Sequence, residues 1–239
     1  MVRFLVLVAV LVCRNDAIAA PDDNDEDAAD PEDLDDRLPD VTAASTHGDG
    51  AALLAEANRE LGAMHESRYE HHTHVDERSG HFDFDCSGFV GYALSRSAPD
   101  AFHAMQSVRA RPLASSFESM FAKPVGPWTS VARADALRAG DVIAWLEPPE
   151  KHSKNTGHVM IVSAMPHAGA RTGELIVSVI DSSHSGHGKA DARIRDHHNG
   201  LGHGDIVLKV DADGHPIGYR WSTWSGSKLY RTTITLGRI

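Results

Sequence analysis

Six short apolar runs in the second half of the chain constrain its fold most: Val142–Leu146, Val159–Ala164, Leu175–Ile180, Ile206–Val210, Ile217–Trp221 and Tyr230–Leu236. Each is too short for a core helix and is bounded by turn-forming residues, which predicts strands. Ahead of them the spacing is helical. Leu53, Leu54, Ala57 and Leu61 share one side of a segment that stops at Gly62. Cys86, Phe89, Val90, Ala93 and Leu94 form one stripe of a second segment ending near Ser95. Helices followed by strands predict an α+β fold with N-terminal helices packed on an antiparallel sheet. Asp213-Gly214 marks a hairpin turn between two of the runs. The histidine-rich stretch between the two helices predicts a polar connection, and the segment holding Pro112, Pro124 and Pro127 predicts no long element.

Only the part from residue 50 onward has the composition of a packed domain. Residues 1–19 read as a secretory signal peptide: Arg3, an apolar run from Phe4 to Val12, and the small-residue exit Ala17-Ile18-Ala19. That run is too short to span a bilayer, so no membrane span is expected. Val12 before Cys13 makes a poor lipoprotein processing site. Residues 20–49 hold twelve acidic residues, one basic residue and three prolines, with almost no large apolar side chain, which predicts a disordered acidic linker. That linker accounts for the net charge of −11. Residues 50–239 are therefore nearly neutral and lack the basic footprint of a nucleic-acid binder. The expected location is periplasmic or extracellular.

Without the signal peptide the chain keeps one cysteine, Cys86, where the acidic turn Asp83-Phe84-Asp85 runs into a helix. An unpaired thiol in an exported protein suggests intermolecular pairing or a reactive sulfur. A helix start favours thiolate through its free N–H groups and dipole, which predicts alkylation well below the ordinary thiol range. The same residue also fits as the first core position of the apolar stripe. A nucleophilic sulfur needs a base and a group to orient that base. His158 opens the strand Gly157-His158-Val159-Met160-Ile161-Val162, where a sheet can aim an imidazole. A hairpin centred on Gly169-Ala170 would place His158 directly opposite Asp181, within reach of a carboxylate–imidazole hydrogen bond. His184 is the rival orienting residue, and the same register pairs it with Asn155.

Asp85-Cys86-Ser87-Gly88-Phe89-Val90, Leu137-Arg138-Ala139-Gly140-Asp141-Val142 and Gly157-His158-Val159-Met160-Ile161, in that order, resemble the NlpC-type family of papain-like bacterial cell-wall cysteine peptidases. The resemblance covers about Ala51 to His184. It implies a papain-like fold with Cys86 as nucleophile, His158 as base and Asp181 in the third polar position. It further implies peptidoglycan stem peptides as substrate, commonly cleaved between D-glutamate and a diamino acid, with Asp85 and Ser87 near the peptide's amino end. No cofactor or metal is implied. Tyr69 is the candidate for the family's aromatic substrate-side position, although it lies farther upstream than usual. Aspartate stands where histidine is commoner, the hairpin is longer, and Ser185–Ile239 has no counterpart in the resemblance.

Two other readings remain. A thiol amidase or acyltransferase of the same fold would use the same residues on another substrate. A non-enzymatic metal-binding protein would use His71, His72, His74, Asp76 and His81, since alternate residues of an extended segment share a face and imidazole ligates zinc and copper. Asp211, Asp213 and Gly214 have part of a calcium loop's spacing but lack its downstream ligands, so a hairpin turn is the expectation there.

Overall fold

The computed structural model describes residues 50–151 and 154–239; the signal peptide, Cys13 and the acidic linker lie outside the described residues. In chain order the elements are α1 (Gly50–Ala63), β1 (Glu66–Arg68), β2 (His74–Asp76), β3 (His81–Asp83), α2 (Cys86–Ser97), α3 (Pro99–Val108), α4 (Ala114–Ala122), β4 (Thr129–Ser130), β5 (Val142–Leu146), β6 (Gly157–Val162), β7 (His167–Ala168), β8 (Glu174–Ser183), α5 (Ala192–Asp196), β9 (Gly200–Val210), β10 (Pro216–Arg220) and β11 (Ile234–Arg238). The fold is mixed α+β. An antiparallel sheet runs β10-β9-β8-β6-β5-β11-β4, with β7 paired to β8, and a small second sheet runs β1-β3-β2.

Alternation along the strands divides the core in two. Val142, Ala144, Val159, Ile161 and Ile180 face the helices and pack with Phe84, Phe89 and Phe117. Ile143, Trp145, Met160, Val162, Val177 and Val179 face the other way, toward Ile206, Leu208 and Tyr219. The sheet curls, so that Tyr219 in β10 bridges to Tyr230 just ahead of β11. Trp145 stacks on Tyr219 at 4.0 Å between ring centroids inside that curl. Among the described residues no helix is long and apolar enough to cross a membrane.

Two expectations about local structure need correction. The proline-bearing segment forms α3 and α4: Pro99 occupies the first turn of α3, where a missing N–H costs nothing, and Phe102, Met105, Phe117, Met120 and Phe121 are buried. The histidine-rich connection supplies the three strands of the small sheet. The hairpin register also differs. Ile161 pairs with Ile180 and Val162 with Val179, which carries Asp181 opposite Met160 rather than His158. The turn lies beyond Gly169, where the Gly169 N–H donates to Glu174 and Gly173 takes the positive φ of 70°. The register then shifts back by two residues between Ser163 and His167, since β7 and β6 pair with β8 in different registers. Because the displacement is two residues, His158 and Asp181 stay on the same face as diagonal neighbours.

Candidate active site

The thiol is delivered by a well-capped helix. Asp85 caps α2, its Oδ1 accepting from the Gly88 N–H at 2.6 Å and the Ser87 hydroxyl at 2.9 Å. That leaves Cys86 at the first helical position, 4 % exposed. Ser182 in β8 donates to the carbonyl of Phe84 at 2.6 Å, tying the helix start to the sheet.

A parting of strands receives the sulfur. In an antiparallel ladder alternate N–H groups turn to opposite neighbours. Val159 shares the parity of Ser163, whose N–H donates to Ser178 of β8, so the Val159 N–H also points toward β8. Pairing between β6 and β8 ends at Ile161, and beyond it the Val159 N–H meets the Cys86 sulfur instead. His158 is the residue before Val159 in β6. Gly157 makes this turn of chain possible, having φ of 137° and a backbone so close to Trp145 that a Cβ would lie 1.8 Å from its carbonyl oxygen.

His158 Nε2 lies 2.6 Å from Oδ2 of Asp181, which is wholly buried. With the proton on Nε2 donated to the carboxylate, Nδ1 is the nitrogen left as acceptor. Trp145 and Trp221 flank the ring at 5.6 and 5.1 Å between centroids. The carboxylate has further partners that sequence reasoning missed. His187 Nε2 is 3.0 Å from Oδ2, and Arg193 Nη2 donates to Oδ1 at 2.8 Å. Both come from the tail for which the resemblance offered no counterpart.

Electrostatics set the resting state of the pair. Burial pushes the Cys86 thiol above its ordinary range, and the charges of Asp85 and Asp181 add to this against the pull of the Val159 and Ser87 N–H groups. Burial likewise pushes His158 down, against the hydrogen bond it makes to Asp181. Both effects favour neutral thiol and neutral imidazole, opposing the thiolate that a helix start favours. Asp181 behaves oppositely. Burial alone would raise it, yet Arg193, His187 and the bond to His158 hold its carboxyl well below the usual range.

Of the residues expected on the substrate side, Ser87 is buried with its hydroxyl engaged by Asp85. Asp85 is 5 % exposed, and its Oδ2 accepts from Arg111 at 3.0 Å with His71 Nδ1 at 3.4 Å. Burial works to raise Asp85, but the hydrogen bond from His71, Arg111 and the Gly88 N–H hold it low. Tyr69 is half-buried and packs between His71 and His184, at 5.6 and 4.1 Å between ring centroids. His184 is thus an exposed neighbour of Tyr69, outside β8, while His187 occupies the place beside the carboxylate.

The histidine tract does not assemble a ligand set. His71 turns to Asp85, while His81 turns to Asp83 at 2.6 Å. Among the described residues three potential ligands converge at Asp211, Asp213 and His215, all exposed. There Asp211 Oδ1 accepts the backbone N–H of Asp213 and of His215 at 3.0 and 2.9 Å, as a turn requires.

No protein-family model matches the chain, and no solved structure matches it. Over 178 residues it is 32 % identical to the uncharacterized protein R653 of Acanthamoeba polyphaga mimivirus, covering 65 % of this chain and 77 % of that protein.

Proposed function

The chain belongs to one family with that mimivirus protein, and for this member we propose an exported cysteine endopeptidase of papain-like fold that hydrolyses amide bonds in peptidoglycan stem peptides. One observation carries the reading: the Cys86 sulfur sits on the N–H of Val159, the residue that follows His158 in β6, and Nε2 of His158 is bonded to a buried carboxylate. In the reaction, Nδ1 of His158 takes the thiol proton as the sulfur attacks the carbonyl carbon. Since burial favours both neutral forms, transfer accompanies attack rather than preceding it. Gly88's N–H is engaged by Asp85 and Ser87's by the sulfur, so the N–H of Cys86 is the helix-start donor left for the oxyanion. His158 then protonates the leaving amine as the C–N bond breaks, leaving a thioester. Water activated by the same imidazole hydrolyses it and restores the thiol.

The substrate class is supported by the three motifs rather than by the geometry. Its test is digestion of purified sacculi by the protein and by Cys86→Ala, with new amino termini identified by mass spectrometry. New termini from the parent alone are expected. Sacculi left intact by a protein whose Cys86 remains modifiable would refute the substrate and leave an amidase or acyltransferase on another substrate.

A further inference from the structure

We propose that His187 and Arg193 are positioning residues that fix the Asp181 carboxylate and, through it, the tautomer of His158. The proposal builds on the reading of His158 as the base. Asp181 has no exposure to water, so every hydrogen bond to its oxygens comes from protein. Oδ1 accepts from Arg193 Nη2; Oδ2 faces His158 Nε2 and His187 Nε2. Each of these side chains is itself held. The Nδ1 of His187 lies 3.0 Å from the Trp221 carbonyl, and its ring packs on Trp221 at 4.3 Å between centroids. Arg193 is 1 % exposed, and its guanidinium donates to Asp191 Oδ2 at 2.8 Å, to Ser183 Oγ at 2.6 Å and to the Gly200 carbonyl at 2.9 Å. Asp191 in turn accepts the backbone N–H of His187 at 2.8 Å.

Strand β9 is shaped for this clasp. Gly200-Leu201-Gly202-His203-Gly204 sets glycine at every second residue. A Cβ on Gly202 would lie 2.2 Å from Arg193 Nε, and one on Gly204 would lie 2.8 Å from both Asp191 Oδ2 and His187 Cβ. A strand bare on one face is weakly stabilising in itself, and a buried ion cluster seldom improves on apolar packing. What the arrangement does provide is a carboxylate of fixed orientation. Asp181 lacking these partners would be a lone buried acid, favouring its neutral form. It would then no longer require the Nε2–H tautomer of His158 and would release Nδ1 from its role as acceptor.

The test reads the tautomer directly. Protein carrying 15N-histidine is compared with His187→Leu, His187→Gln and Arg193→Lys by long-range proton–nitrogen spectra, alongside the rate of Cys86 alkylation by iodoacetamide at alkaline pH. His158 protonated at Nε2 is expected in the parent. In His187→Leu and Arg193→Lys that signature should give way to mixed tautomers, and alkylation should slow by roughly a hundredfold, the lower end of what a positioned base contributes. His187→Gln, which can still donate to Asp181, should restore most of both. If His187→Leu does not fold, Arg193→Lys carries the same test, since it keeps the charge but replaces three donor nitrogens with one. An unchanged tautomer in the folded variants overturns the proposal. Alkylation that is unaffected by His158→Gln, while the tautomer still depends on His187, overturns the peptidase reading and leaves the clasp intact.

Discussion

Gly202→Ala is the sharpest probe of the packing behind the site. Gly202 pairs with Asp181 across the β8–β9 ladder, and the added methyl would lie 2.2 Å from Arg193 Nε and 2.6 Å from Cζ. The guanidinium cannot swing into water, because the residue is 1 % exposed and bonded on several sides. If the surroundings yield by a few tenths of an ångström, the cost is that of overpacking, about 1–3 kcal/mol. If Arg193 instead leaves Asp181, an uncompensated buried charge costs about 3–5 kcal/mol. Alanine recovers about 0.4–1 kcal/mol by restricting the unfolded chain. The net expectation is a loss of up to about 2.5 kcal/mol in the first case and of about 2–4.5 kcal/mol in the second, the latter lowering the melting temperature by roughly 5–15 °C for a domain of this size. Calorimetry should be run beside Gly62→Ala. That glycine is in α1, and a methyl group added there would have nothing within 4 Å, so its replacement should gain about 0.5–1 kcal/mol. A Gly202→Ala protein that melts with or above the parent refutes the account of β9 as a cradle for Arg193.

Glu60 in α1 is wholly buried, and its two carboxyl oxygens have no hydrogen-bond partner among the described residues. Burial and the neighbouring Glu56 raise it well above the ordinary value, so the native state holds a proton that the unfolded chain has released. Its folded form is accordingly fully favoured below the unfolded carboxyl range and loses stability as pH rises toward the raised folded value. Glu60→Met should remove that slope and gain about 1–3 kcal/mol near pH 8, measured by denaturant titration across pH; an equal slope in both proteins would contradict the assignment. At the active site, burial of Cys86 predicts slow alkylation at acidic and neutral pH with a rise only in the alkaline range. Rapid modification near pH 5 would show a standing thiolate and refute the neutral resting pair.

What could be read from the sequence follows from how local each signal is. The strands are visible because short β-branched runs between turn residues have few alternatives. Asp85 reveals the start of α2 because an N-cap carboxylate is a local device, and it accepts the Gly88 N–H three residues on. Burial is not local. The dipole argument applied to Cys86 considered one helix, whereas the sulfur's state depends also on β6 and on the Asp181 carboxylate that the fold brings up on β8. Register is intermediate. Placing the turn at Gly169 rather than around Gly173 displaces the pairing, yet a two-residue error preserves the face, so the association of His158 with Asp181 survives an incorrect ladder.

The tail shows where pattern reading stops and packing begins. From His184 to Asn199 the chain is polar and irregular, and nothing in its periodicity separates His187 or Arg193 from ordinary loop residues. The usable signal lies across the strand: three glycines at alternate positions in Gly200–Gly204 weaken a strand unless something large occupies the face they leave bare. Arg193, Asp191 and His187 occupy it at Gly202 and Gly204, while Ser67 and the Arg68 backbone lie against Gly200. An arginine can be buried there only with anions beside it, and the second anion besides Asp191 is Asp181, the carboxylate bonded to His158. Bare glycines, buried guanidinium and oriented imidazole are therefore one physical requirement, linking a tail without recognisable motifs to the orientation of His158.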